Sequence, residues 1–198
     1  MKGVIISTKE KILAATLELI KAEGIEAITI RKIANAADAN VALVNYYFGS
    51  KEKLISETLK LQLASFQAAF SVFDDGGIAP LERLKKFILL YASSLQEHPG
   101  LVKRLLGQER MFESQMEYAE FLKGQGFEKV SATLIEIIGP SSRQELFIIM
   151  QQMFAALLSP IMKASFSNEH AGDFFISASL EEQIDVYFEH YFYKYTAR

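Results

Sequence analysis

The chain contains no cysteine. Disulfides, thiolate metal ligands, cysteine nucleophiles and thiol redox switching are excluded, and the composition suits a reducing, cytoplasmic setting. A strong charge of one sign is lacking too. Lys and Arg number 21 against 24 Asp and Glu, a net charge of −3 over 198 residues. Any contact with a polyanion must come from a local patch. Long apolar runs are also missing. The longest uncharged stretch, Leu146 to Met162, is 17 residues long and includes Gln151, Gln152 and Pro160. A bilayer span needs about 20 mostly apolar residues, so a buried helix and no membrane partner are expected. The apolar stretch near Met1 is too short for a secretory signal.

Catalytic signatures are absent. His98, His170 and His190 lie 72 and 20 residues apart, outside any metal-ligand spacing. No G-x-S-x-G, P-loop or G-x-G-x-x-G occurs, and Gly124-Gln125-Gly126 follows no strand pattern. Glu181-Glu182 falls in a first helical turn, where the helix dipole favours carboxylates. Asp185, Glu189 and His190 read as a solvated face. No cofactor, no metal and no enzymatic activity are expected.

What is present is a helical pattern in a chain half of whose residues are hydrophobic. Ser7 with Glu10 forms a capping box, Ile12 to Ile20 recur at helical spacing, and Gly24 stops the helix. Thr29 caps a short second helix, Asp38-Ala39-Asn40 breaks it, and Asn40 caps a third helix over about Val41 to Tyr47. Ser50 caps a fourth, from Lys51 to about Phe73. Asp74-Asp75-Gly76-Gly77 is a linker signal. Further helices are expected over about Pro80–Glu97, Gly100–Phe112, Gln115–Ile138, Ser141–Lys163 and Leu180–Tyr195, with a loop over Ser165–Ser179. Gly124 and Gly126 weaken the continuity of one of them. The class is all-α, about nine helices. Residues 1–53 form an N-terminal domain, a connecting helix reaches about residue 73, and 75–198 form a second helical domain.

Residues 1–53 hold eight basic groups against six acidic ones, and the remainder 13 against 18. The basic end is the short-helix end, and its pattern fits a helix-turn-helix, whose second helix enters the DNA major groove. Val44 and Phe48 would pack inward with Ala39 and Ile33. Val41, Ala42 and Asn45 would face out, Asn45 able to read an adenine edge and Val41 and Ala42 a thymine methyl. Tyr46, Tyr47, Ser50 and Lys51 would clamp phosphates. A generic pair of short helices explains the same spacing, and an aromatic run such as Tyr46-Tyr47-Phe48 is by itself more often core than contact surface.

Residues 8–60 resemble the DNA-binding domain of the TetR/AcrR family of bacterial transcriptional regulators. The resemblance lies in Ile12-Leu13-Ala14-Ala15, Gly24, Thr29-Ile30-Arg31-Lys32-Ile33-Ala34 and Val44-Asn45-Tyr46-Tyr47-Phe48-Gly49-Ser50-Lys51-Glu52-Lys53-Leu54. It departs at the turn, where Asp38-Ala39-Asn40 stands in place of the usual Gly-Val-Ser. It also departs at Asn45, often Tyr in the family, and at Leu43, commonly polar there. The resemblance implies a DNA-contacting set of Thr29, Arg31, Asn40, Val41, Ala42, Asn45, Tyr46, Tyr47 and Lys51. It further implies a homodimer on a palindromic double-stranded operator, with a C-terminal domain that binds an effector and dimerises.

In that second half Phe87, Tyr91, Phe112, Phe121, Phe127, Met150 and Phe154 are candidates to line a pocket for a small hydrophobic or aromatic effector, with Phe147 and Met153 beside them. Arg104, Gln108, Gln151 and Gln152 are candidate polar anchors. Plain core packing explains many of these residues equally. A dimer interface is expected on the last two helices, through Phe154, Leu157, Leu158, Ile161, Ile184, Phe188 and Tyr191. The expected function is a DNA-binding repressor released by its effector. The alternative is a helical interaction protein that keeps the fold without operator binding.

Overall fold

The structure is a computed structural model that describes residues 7–97, 112–165 and 178–196. All regular elements among them are helical. They are α1 (Thr8–Glu23), α2 (Ile30–Ala36), α3 (Val41–Phe48), α4 (Lys51–Ala69), α5 (Pro80–Glu97), α6 (Glu113–Phe121), α7 (Phe127–Ile138), α8 (Arg143–Ser165), α9 (Leu180–Tyr191) and the single turn α10 (Tyr193–Thr196). The expected helix over Gly100–Phe112 and the loop after Ser165 lie largely outside the described residues.

The described residues group into two compact units. The first runs to Ala64 and takes in 112–120; the second holds 65–97, 121–165 and 178–196. This differs from the expected division at 53 and 75. α4 divides between the units after Ala64, and the start of α6 joins the first. There the backbone N–H of Ser114 donates to Ser56 Oγ at 3.1 Å, and Lys60 pairs with Glu117 at 3.1 Å.

Polar side chains fix where the helices of the first unit begin. Ser7 and Glu10 cap each other's backbone N–H, at 3.2 and 2.7 Å. Thr29 Oγ1, Asn40 Oδ1 and Ser50 Oγ accept from the N–H groups of Lys32, Leu43 and Lys53. Each satisfies a donor that the first helical turn leaves orphaned, worth about 1 kcal/mol. Ile12, Leu13, Ile28, Ile33, Ala34, Ala37, Val44, Phe48 and Leu54 form the core, with Ala39 packed against it. Large apolar side chains of this kind stabilise by roughly 1.5–3 kcal/mol each when fully buried.

In the second unit α5 packs against α7, α8 and α9. Leu84, Phe87, Ile88 and Ala92 of α5 are buried, as are Val130 and Leu134 of α7 and Ile184 and Phe188 of α9. Ion pairs tie these elements: Lys129 with Asp74 at 2.6 Å, Lys85 with Asp185 at 2.6 Å, and the buried Arg83 with Glu136. α4 gives way at Phe70 to a 3-10 turn, Phe70–Asp74. The expected Gln115–Ile138 helix is interrupted by a π turn, Leu122–Gly126, in which the N–H of Phe127 reaches back to the carbonyl of Leu122. The two glycines that weakened its continuity sit inside that turn. The expected last helix breaks at Phe192.

Candidate nucleic-acid interface and apolar cavity

The turn between α2 and α3 is built from a helix end. Ala39 N–H donates to the Ala34 carbonyl at 2.9 Å and Asp38 N–H to the Asn35 carbonyl at 3.3 Å, the paired bonds of a Schellman cap. Asp38 takes the left-handed position, φ +50°, where glycine is the usual residue. Ala39 then packs on the core and Asn40 starts α3.

Burial divides α3 cleanly. Val44 and Phe48 are buried, whereas Val41, Ala42, Asn45 and Tyr46 are exposed and lie at i, i+1, i+4 and i+5. Tyr46 is 81% exposed, unusual for so large a ring. Its ring meets Tyr47 edge to face, centroids 5.5 Å apart. Thr29, Arg31 and Asn40 are exposed as well. The caps occupy Thr29 Oγ1 and Asn40 Oδ1 as acceptors, which leaves the hydroxyl proton and the amide NH₂ free to donate. Gly49, at φ +75°, turns the chain so that Ser50 and Lys51 follow α3 directly.

The ion pairs sort the basic residues. Lys21 is held by Glu18 at 2.9 Å, and Lys32 by Glu23 at 2.5 Å and by the Ala27 carbonyl. Among the described residues, Lys9, Lys11, Arg31, Lys51 and Lys53 have no acidic partner. Lys9 lies over the Phe48 ring at 5.6 Å, which brings its ammonium beside α3. Composition alone gave no way to separate the free cations from the committed ones.

The second unit contains a half-open cavity of about 410 Å³, within the range of about 300–1,000 Å³ usual for small-molecule sites. Of the expected residues, Tyr91, Phe127, Phe147, Met150, Gln151 and Phe154 line it. The structure adds Phe70, Leu122, Gly126, Val130 and Ala155. Phe87 is fully buried behind the wall, 4.7 Å from both Phe70 and Phe73, so it supports the cavity without facing it. Phe121 likewise packs edge-on against Phe70 at 5.1 Å and is not part of the lining. Phe112 belongs to the first unit. Arg104 and Gln108 lie outside the described residues. The signal for the missed residues was the glycine pair. Gly126 faces the Phe70 ring so closely that a Cβ there would lie 3.2 Å from it.

The expected interface residues also separate. Ile184 and Phe188 are buried in the core of their own unit, because α5 covers that side of α9. They are thus not on a surface open to a second chain. Phe154 is spent on the cavity and on Tyr91, 5.6 Å away. Tyr191 is half-buried and donates from its hydroxyl to Gln152 Oε1 at 2.6 Å. The side chains of Leu157, Leu158 and Ile161 lie outside the described set. The apolar residues left facing out are Phe147 and Ile148 on α8, Val186 on α9 and Tyr193 on α10.

Tyr187 Oη is buried with no hydrogen-bond partner, and burial raises its pKa well above the ordinary phenol value. No cluster of three or more metal-ligating side chains occurs among the described residues. None of the described helices is long and apolar enough to cross a membrane.

Residues 12–58 match the family of bacterial regulatory proteins described as the tetR family. The transcriptional repressor NicS of Pseudomonas putida is 30% identical over 95 residues, 48% of this chain. The match takes in 45% of NicS, so the chain spans less than half the length of that relative. The nucleoid occlusion factor SlmA of Vibrio cholerae is 25% identical over 172 residues, 85% of this chain and 87% of that one. Among solved structures, the TetR-family transcriptional regulator PfmR from Thermus thermophilus shares the fold, with a TM-score of 0.63 over 92% of this chain and 97% of the other at 20% identity. With the capped helix pair, the turn at Asp38 and the exposed face of α3, these likenesses establish that residues 12–58 form the N-terminal domain that the tetR family of bacterial regulatory proteins carries, in a chain that shares the fold of such regulators.

Proposed function

We propose that the protein is a sequence-specific DNA-binding transcriptional regulator, a homodimeric repressor released from a palindromic operator by a small hydrophobic effector. The observation that carries DNA binding is the division of α3: Val44 and Phe48 are buried while Val41, Ala42, Asn45 and Tyr46 are exposed, with five unpaired cations on the same unit. Short side chains at 41, 42 and 45 let a helix lie close to base edges, and Asn45 supplies a bidentate partner for adenine. Lys51, Tyr46 and Tyr47 supply phosphate contacts that fix register.

Release requires a ligand that binds one conformation better than another, and its effect cannot exceed that difference. A coupling of about 1–3 kcal/mol gives a roughly 5–150-fold change in operator affinity. Two recognition helices of a dimer must meet the major groove about 34–36 Å apart, so a small rearrangement suffices. α4 offers the route: Lys51 stands in its first turn, and Phe70, the residue after its end, lines the cavity. Selection of bound DNA from a random pool with the purified protein is the test. Recovery of one palindrome, bound with an affinity that falls steeply with salt, is expected; unselective recovery would refute operator binding.

A second reading is favoured by the long match to SlmA. In it the protein binds DNA but acts on something other than transcription. Transcript changes on deletion of the gene, confined to neighbours of the selected sites, separate the two.

A further inference from the structure

Beside the cavity lies a second hollow of about 810 Å³, lined by Leu122, Lys123, Phe127, Arg143, Gln144 and Phe147. Leu122, Phe127 and Phe147 line both, so the hollow is the mouth of the cavity. The chemistry changes between them. Among the described lining residues, Gln151 and Tyr91 alone carry polar groups inside, whereas at the mouth stand two cations, an amide and no carboxylate. Arg143 is stacked on the Phe127 ring, its Cζ 4.6 Å from the centroid, which fixes a guanidinium while leaving its N–H edges free. Lys123 sits in the π turn. Neither has an acidic partner among the described residues, whereas Arg83, Lys85 and Lys129 of the same unit are each held by a carboxylate.

We propose that the ligand of this unit is an amphipathic carboxylate: an apolar body in the cavity and one anionic head on Arg143 and Lys123 at the mouth. This rests on the effector reading above. The cavity offers room for on the order of a dozen carbon-sized atoms at about 30 Å³ each. Its apolar wall rejects a charge, because an ion moved there loses hydration without a partner. Both mouth cations are exposed, so the head keeps part of its hydration and gains charge-assisted hydrogen bonds. An amine head would face two like charges instead.

Calorimetric titration of the full chain with decanoate, decanol, decylamine and decyl phosphate, below micelle-forming concentrations, tests this. Decanoate should bind about ten-fold tighter than decanol, equivalent to roughly 1.4 kcal/mol, and decylamine weakest. The double variant Lys123→Gln, Arg143→Gln should keep its melting temperature and its decanol affinity and lose the preference for decanoate. Arg143→Lys alone should keep part of it. Equal binding of decanoate and decanol by the unaltered protein, no binding of any of the four, or a preference surviving the double variant would overturn the proposal. Decyl phosphate binding ten-fold tighter than decanoate would overturn the carboxylate in favour of a phosphate ester. Operator affinity measured alongside separates this inference from the one it rests on. Release by decanol as readily as by decanoate refutes only the head group, whereas selective decanoate binding without release refutes only the regulatory role.

Discussion

Ala39 donates its backbone N–H to the Ala34 carbonyl across a turn whose middle residue, Asp38, stands at φ +50°. Ala34 is part of the core beneath that turn and Ala39 packs against it, and a β-carbon is tolerated at Asp38 where glycine would be free of strain. Asp38→Gly should therefore stabilise the protein by about 0.5–1 kcal/mol, and Asp38→Val should destabilise it by about 1–2 kcal/mol. Urea denaturation midpoints check both. A stabilising Val variant would show that the turn is not held in this conformation in solution.

On α3 and α4, position and specification should come apart. Lys51→Ala should weaken binding to all DNA sequences about equally and lower the salt exponent by about 1. Asn45→Ala should cost about 1–3 kcal/mol at one base pair and relax preference there. Titrations against the selected operator and single-base variants at three salt concentrations distinguish the two roles. A change of sequence preference in Lys51→Ala with unchanged overall affinity would reverse the assignment.

Self-association should depend on the outward apolar residues, not on the buried ones. Val186 is 55% exposed and lines neither hollow. Val186→Glu should shift a micromolar sample from dimer toward monomer in sedimentation while leaving the far-ultraviolet circular dichroism unchanged. Phe154→Glu would be a poorer probe, because Phe154 also lines the cavity. A dimer undisturbed by Val186→Glu and by Ile148→Glu would move the interface off this surface.

Filling the cavity should uncouple the two functions. In Gly126→Val the first added carbon already meets the Phe70 ring at 3.2 Å, and the branches beyond it take cavity space. Ligand affinity should fall more than about ten-fold, with operator affinity within about two-fold of the parent. Unchanged ligand release in this variant would place the effector elsewhere.

Acid should loosen two helix starts. Hydrogen bonds from the backbone and side chain of Ser7 hold the Glu10 carboxyl below its ordinary value of 4.5, and Ser179 does the same for Glu182. A depressed folded-state pKa means the stabilisation is present above that ordinary value and is lost as pH falls through the lower one. The stability difference between the parent and Glu182→Ala should therefore shrink as pH drops below about 4.5. Lys85 behaves oppositely. The hydrogen bond it donates to the Asp185 carboxylate raises its pKa above 10.5, so its contribution persists at neutral pH and fades only in strong alkali. Thermal melts across pH check both, and a Glu182→Ala difference that persists at pH 3 would refute the first.

The helix starts were readable because Ser7, Thr29, Asn40 and Ser50 each act on a backbone N–H three residues on, a local interaction that the order of residues specifies. So was the face of α3, since burial of Val44 and Phe48 follows from a spacing of four. The second unit was less legible. Apolar residues surround most of α8, and on α9 Ile184, Val186, Tyr187 and Phe188 fall close together among charged residues, so periodicity could not say that Ile184 turns inward while Val186 turns out. Nor could it say that Phe87 stands behind Phe70 and not beside it, because a cavity wall belongs to several packed elements and to no one of them. The glycines at 124 and 126 marked an irregularity without naming it as a π turn.

The hydrogen bond from Ser114 to Ser56 joins residues 58 positions apart within the first unit. A unit assembled in this way is not a prefix of the gene. Exchange of DNA specificity between relatives, in evolution or by design, would be cleanest if the segment around Ser114 travelled with the first helices. A chimera spliced at residue 75 would set Ser56 against a foreign backbone and lose the Lys60–Glu117 pair. Such hybrids should fold poorly until that later segment is also swapped, which makes the module one of two inheritance blocks separated by nearly fifty residues.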